Sequence, residues 1–196
     1  MKNILVIFGG TSSEHEVSLK SAYSIIKAID KNRYTVILVG ISKKGQWKYF
    51  HGSIEKILYD TWNNENDCEE AVFDVSKQEL IIFKNNIQRK KVDGIFPVLH
   101  GKGGEDGTIQ GMASLANIPY MGCGVMSSAI GMDKMMAHTI AESIGITVPK
   151  CIWAHKITGD LKYPVFVKPL DGGSSLGITK VNMKEDLTMA IDRAEK

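Results

Sequence analysis

Three glycine-rich segments carry most of the side chains that could do chemistry in this 196-residue chain. In Phe166-Val167-Lys168-Pro169-Leu170-Asp171-Gly172-Gly173-Ser174-Ser175-Leu176-Gly177, an apolar run delivers a lysine to a Gly/Ser loop. Unpaired backbone N–H groups beside one fixed cation suit a polyphosphate, whose charge they offset together. A plain hairpin needs only two turn residues, and this loop is longer. The second segment, His100-Gly101-Lys102-Gly103-Gly104-Glu105-Asp106-Gly107-Thr108, sets His, Lys, Glu and Asp among four glycines. A simple turn needs one or two such residues, and the Walker A pattern G-x-x-x-x-G-K-[ST] is absent. The third, Gly9 to Ser18, lies where an apolar strand ends, the edge at which open α/β sheets bind ligands. It places the carboxylate of Glu14 at a helix start. G-x-G-x-x-G fails after its first glycine pair, so it is no dinucleotide fingerprint. Glu14 could bind substrate or merely complement the helix dipole, and these residues alone leave both roles open. Met132-Asp133-Lys134 adds a second lysine within helical sequence, where most lysines are simply solvated.

The elements that must hold these loops alternate strand and helix. Ile4 to Phe8 is a continuous apolar run stopping at two glycines, as a buried parallel strand does. Ser12 and Ser13 are placed to cap the next helix, in which Val17, Ala22, Ile25, Ile26 and Ile29 recur at helical spacing to about Asp30. Tyr34 to Ile41 is a second, β-branched strand, so the spacing predicts a βαβ unit and a parallel sheet. Short strands are expected at Trp47 to Phe50 and Leu80 to Phe83, around a polar patch at 63–70. Val92 to Leu99 returns to the buried-strand pattern and leads into the His100 loop. A helix from about Thr108 to Ala116 and a strand near Ile118 to Met121 follow. Residues 125–144 read as a Met- and Ala-rich helical region closed by Gly145, its methionines serving adaptable packing. Val148-Pro149 breaks the chain. Strands at Val165 to Lys168 and Ile178 to Val181 then flank the last glycine loop, and Asn182-x-x-Glu185 resembles a capping box opening a final helix.

Composition excludes several classes. With 43% hydrophobic and 23% charged residues the chain is ordinary globular protein, neither disordered nor collagenous. Its 24 Lys+Arg against 22 Asp+Glu leave +2, with no basic footprint for nucleic acid or an anionic membrane. The apolar run at the start is five residues, against the about 7 to 15 of a signal peptide and about 20 of a membrane span. Three cysteines without a C-x-x-C pair indicate neither a disulfide framework nor a zinc site. A cytoplasmic location is expected.

Taken together, these segments resemble the D-alanine–D-alanine ligases of the ATP-grasp superfamily. The family's H-G-x-x-G-E-D-G-x-[aliphatic]-Gln-G signature is intact from His100 to Gly111, and its G-G-x-S-x-E-x-x-V-S element fits Gly9 to Ser18. Ile118-Pro119-Tyr120, Gly122, Met132-Asp133-Lys134 and the Lys168-to-Gly177 loop follow in the family's order. The fold this implies is α/β: a parallel-sheet, Rossmann-like pre-ATP-grasp domain over residues 1–132 and the start of an α+β ATP-grasp central domain over 133–196. The implied reaction is ATP-dependent: a first D-alanine is activated as an acyl phosphate and attacked by the amine of a second D-amino acid. The product is the D-Ala-D-Ala dipeptide of peptidoglycan. By the resemblance Glu14 holds the first ammonium group, and Ser174 orients the second substrate and helps deprotonate it. His100 and Glu105 stand on the substrate side. Lys134, Lys168, Gly173 and Ser175 meet the nucleotide phosphates. The resemblance also implies Mg²⁺ or Mn²⁺ and a homodimer formed through the N-terminal domain.

Two departures qualify this. Family members are considerably longer, and their adenine hinge, acidic metal ligands, phosphoryl-binding Arg and loop Tyr or Phe lie in a C-terminal half not represented here. The chain is therefore expected to be an N-terminal fragment without metal ligands of its own. His138 stands where many members have Lys, and with Gly52-x-x-Glu55-Lys56-Ile57 and Thr61-Trp62 it resembles the vancomycin-resistance ligases that append D-serine. D-serine or D-lactate is thus the alternative second substrate, and a non-catalytic binding or dimerisation module the alternative of another class. Phosphoryl transfer depends on positioning and electrostatics, so the 196-residue chain alone is expected to release no ADP with D-alanine. Clear turnover in a coupled ADP assay would sink the fragment reading.

Overall fold

Leu5, Val6, Ile7 and Phe8 have no solvent exposure at all, and they lie in β1 (Lys2–Gly9), the most deeply buried strand of the larger sheet. The computed structural model describes residues 1–173 and 177–195. It divides into two compact units, Met1–Ala129 and Ile130–Lys196.

In the first unit, β1 is followed by α1 (His15–Ala28) and β2 (Tyr34–Ile41). The meander β3 (Trp47–Phe50), β4 (Cys68–Asp74), β5 (Glu79–Phe83) and β6 (Gln88–Lys91) comes next, with the short α2 (Glu55–Leu58) after β3. β7 (Gly94–Leu99) and α3 (Thr108–Leu115) follow. The seven strands are ordered β6-β5-β4-β3-β2-β1-β7. β1 pairs parallel with both β2 and β7, while β3 to β6 extend the sheet antiparallel. The protein is thus mixed α/β, with the parallel strands β2, β1 and β7 at one end of the sheet.

Strand side chains alternate between faces, and both faces here are covered. Leu5 and Ile7 join Ile109 and Ala113 of α3 in one cluster. Val6 and Phe8 join Leu19, Ala22 and Ile26 of α1, with Ile57 and Trp62, in the other. Burial on two sides is why β1 reads as an unbroken apolar run. Pro97 is tolerated in β7 because that strand is at the sheet edge. Ile95 N–H points outward to Pro119 O at 3.0 Å, so two residues on, Pro97 lacks a donor only on the open side.

Two strands escape the sequence reading. β4 begins within the polar patch at 63–70 because Glu69 and Glu70 interrupt the alternation of buried Cys68, Ala71 and Phe73. β6, Gln-Arg-Lys-Lys, has no apolar residue; it is an edge strand, where charge prevents edge-to-edge pairing. The strand expected near Ile118 to Met121 is reduced to a single parallel bridge, Ile95 to Tyr120.

The helical region 125–144 is two helices, α4 (Val125–Met132) and α5 (Lys134–Ser143). Asp133 separates them by capping α5, accepting from Met136 N at 2.9 Å. In the second unit, β8 (Val165–Val167) and β9 (Thr179–Val181) pair antiparallel, and α6 (Leu187–Ala194) buries Ala190. The capping box expected from Asn182 does not form: a 3-10 turn at Lys184–Asp186 comes first, and Asp186 occupies the N-cap without a side-chain bond.

Trp62 is 1% exposed and meets Phe8 and Phe50 edge-on, at 5.1 Å and 6.4 Å between ring centroids. Replacing it with alanine is expected to cost about 3–5 kcal/mol, read as a lower urea midpoint with no change in slope.

Candidate functional site

β1 and β7 are in register with Gly9 opposite Leu99, so the loops that follow them leave the same sheet edge side by side. α1 and α3 cover opposite faces, so the crevice lies where the connections part, the usual ligand position in open α/β sheets. The turn after β1 uses Gly9 at φ +87° and Gly10 at φ +100°. A Cβ at Gly9 would run into the carbonyl oxygen of Ile41. His15, 2% exposed, donates from Nδ1 to Gly10 O at 2.6 Å and holds that turn. Ser18 is fully buried, accepts from Gly9 N at 2.8 Å and donates to Val98 O. One hydroxyl thereby fastens the ends of β1 and β7.

Glu14 occupies the N-cap position of α1, without a side-chain capping bond. Ser12 and Ser13 do not cap the helix as expected: Ser12 Oγ donates instead to His100 O at 2.7 Å and accepts from Glu14 N at 3.2 Å. The Glu14 side chain is buried, and a Cβ on Gly101 would lie 2.6 Å from its Oε2. Gly101 also sits at φ +68°, so a side chain there would be strained and would press on the Glu14 carboxylate.

His100 follows β7 directly. Its Nε2 lies 3.2 Å from Ser21 Oγ and its Nδ1 3.6 Å from Glu105 Oε1. Glu105 Oε2 accepts from Gly101 N at 2.8 Å. Asp106 accepts from Gly103 N at 2.7 Å and Thr108 N at 3.0 Å, while Gln110 Nε2 donates to Gly104 O at 2.8 Å. The loop's own carboxylates therefore occupy these amides, and it forms a braced shelf instead of an anion cradle. Burial pushes the Asp106 carboxyl up, but the amides of Gly103 and Thr108 outweigh it and hold the group below its ordinary value.

Of the residues singled out in the sequence, Glu14, His100 and Glu105 meet in this first unit. Ser12, His15, Ser18, Ser21 and Asp106 were given no site role from the sequence, Ser12 being read only as a helix cap. Ser12 and Ser18 had a signal as the two serines of the G-G-x-S-x-E-x-x-V-S element, and Asp106 as the Asp of the His100 signature.

The second unit holds the lysines. Lys134 opens α5 and donates from Nζ to Gly172 O at 2.9 Å and Leu170 O at 3.4 Å. Its own N–H reaches Leu170 O at 3.2 Å, so α5 is tied to the glycine loop. His138 lies four residues on, on the same helix face as Lys134. Lys168 is exposed just after β8 and Gly173 is half-buried; Ser174 and Ser175 lie outside the described residues. Among the described residues no group of three His, Cys, Asp or Glu could hold a metal ion. No helix among them is long and apolar enough to cross a membrane.

The pattern described as D-ala D-ala ligase N-terminus matches residues 3–123, and the one described as D-ala D-ala ligase C-terminus matches 128–196. The chain belongs to the D-Ala-D-Ala ligase family. It is 44% identical to a D-alanine–D-alanine ligase of Acetivibrio thermocellus, over 97% of this chain and 58% of that protein. It is 40% identical to the vancomycin C-type resistance protein VanC1 of Enterococcus gallinarum, over 99% and 58%. Among solved structures, the VanG D-Ala:D-Ser ligase of Enterococcus faecalis superposes with a TM-score of 0.87 at 42% identity, over 98% of this chain and 59% of that one. The D-alanine–D-alanine ligase of Coxiella burnetii does so with a TM-score of 0.87 at 27% identity, over 100% and 60%. The chain thus spans less than two thirds of the length of these ligases.

Within this ligase-family unit, Asp106 gives a pH prediction. Its folded pKa is depressed below 3.8, so its stabilisation is full above that value and is lost as the pH falls through the lower, folded one. The amide resonances of Gly103 and Thr108 are expected to move together in that acidic window and to stay displaced at neutral pH in Asp106→Ala. Independent movement of the two amides would count against the shared carboxylate.

Proposed function

We propose that this chain carries the first-substrate pocket and part of the nucleotide site of an ATP-dependent ligase joining D-alanine to a second D-amino acid. The product would serve peptidoglycan synthesis in the cytoplasm. The observation that carries this reading is the buried Glu14 carboxylate at the β1/β7 switch point, packed against Gly101. A carboxylate in such a place suits the ammonium group of a small amino acid. His100 and Glu105 flank the same crevice, with Glu105 beside the His100 ring at 3.6 Å, and stand on the substrate side.

Lys134 supports the nucleotide side. It is anchored to the carbonyls of Leu170 and Gly172, and Gly172 has open space where a Cβ would be, so the described residues fit a phosphate chain. ATP supplies the phosphoryl group that turns the first D-alanine's carboxylate into an electrophile. In this chain Lys134, Lys168 and the amides of Gly173 and Ser175 hold the phosphates, and Ser174 orients the second amine and helps take its proton. Among the described residues no three His, Cys, Asp or Glu lie together to hold Mg²⁺ or Mn²⁺. The family resemblance also supports a homodimer through residues 1–132.

D-Serine as second substrate has support in the likeness to the D-Ala:D-Ser ligase. The Gly52–Trp62 likeness adds little: Ile57 and Trp62 are core residues, 0% and 1% exposed.

Isothermal titration of the chain with D-alanine tests the reading. Glu14→Gln is expected to weaken binding about 10- to 100-fold, the range of a charged hydrogen bond. Equal affinity in the variant would remove Glu14 from the site. No D-alanine binding by the parent chain would favour a non-catalytic dimerisation module.

A further inference from the structure

Between the two loops at the β1/β7 edge sits one half-buried hydroxyl, Ser12 Oγ. A serine hydroxyl has one proton to donate and two lone pairs to accept with. Here the proton goes to the backbone carbonyl of His100 at 2.7 Å, and a lone pair takes the backbone N–H of Glu14 at 3.2 Å. The first bond spans 88 residues of sequence. A single atom therefore joins the main chain of the residue carrying the candidate carboxylate to that of the residue carrying the candidate imidazole. The same side chain lines the Gly101 wall: a Cβ on Gly101 would lie 3.3 Å from Ser12 Cβ and 2.6 Å from Glu14 Oε2.

We propose that Ser12 is a positioning residue for first-substrate binding, setting the distance between Glu14 and the His100–Gly101 shelf through this two-bond bridge. The inference rests on the reading of Glu14 as the ammonium-binding group. Ser18 fastens the ends of the strands, and Ser12 fastens the loops beyond them. The strand register fixes where the two loops start but not their spacing to the few tenths of an ångström that a small ligand requires, because each can pivot as a unit about its entry glycines, Gly9 and Gly10 in one and Gly101 in the other. The bridge removes that freedom. It leaves the chemistry to Glu14, since Ser12 Oγ has its proton committed to a carbonyl.

The test compares Ser12→Ala, which deletes Oγ and keeps the Cβ packing, with Ser12→Thr, which keeps a hydroxyl. Two readouts are taken on the same chain. The first is the Glu14 amide resonance without ligand, expected to move in Ser12→Ala and to stay near the parent position in Ser12→Thr. The second is D-alanine affinity by titration, expected to fall about 3- to 10-fold in Ser12→Ala, the range of one neutral hydrogen bond, and to recover in Ser12→Thr. An unmoved Glu14 amide in Ser12→Ala overturns the bridge. Parent-like D-alanine affinity in Ser12→Ala, or equal losses in both variants, overturns the positioning role and leaves packing as the cause. If the parent chain binds no D-alanine, the ligase reading fails and the positioning role falls with it, whatever the amide resonance reports.

Discussion

Everything at the candidate site depends on β1 and β7 being neighbours in register, with Gly9 opposite Leu99. β1 is followed by a crossover to β2 on one side, and β7 returns on the other, so two loops far apart in sequence start from adjacent rungs. The sheet can hold this arrangement because Leu5 to Phe8 are buried on both faces. Slipping the register by one residue would exchange the α1-facing and α3-facing sets along the whole strand. The hydroxyl of Ser18 closes the last rung. Without that pairing, Glu14 and His100 would be unrelated residues.

The glycine loops look alike in sequence but differ physically. In 101–108 the amides of Gly101, Gly103 and Thr108 are already taken by Glu105 and Asp106, so that segment is braced from within. In the 170–173 stretch a cation, Lys134, is drawn to the carbonyls of Leu170 and Gly172. Carboxylates close one loop; a lysine braces the other.

The meander β3 to β6 lengthens the sheet away from the crevice. Its inner part helps hold the centre: Phe50 and Trp62 pack edge-on against Phe8, and Lys56 pairs with Asp67 at 2.6 Å. Residues that resembled a substrate-specific family branch in sequence, such as Ile57 and Trp62, are explained by packing. A motif shared among relatives can be a core motif.

The parallel strands β2, β1 and β7, the helices α1 and α3, and the positions of the glycine loops were legible in the sequence, because two-sided burial and helical spacing leave strong local patterns. Glu14, His100, Glu105, Lys134 and Lys168 were legible as candidates through motif spacing. β4 and β6 were not, since their acidic and basic residues face solvent or an open edge and mask the alternation. Nor was the break at Asp133, because its capping bond to Met136 competes with a continuous helical pattern. Only tertiary structure decided which serines matter: Ser12, Ser18 and Ser21 bond to residues about 80 positions or more away, or to neighbours whose geometry those contacts set. A hydroxyl's partner is chosen by whatever group the fold brings within 3 Å or so, and one chain position carries no mark of that choice.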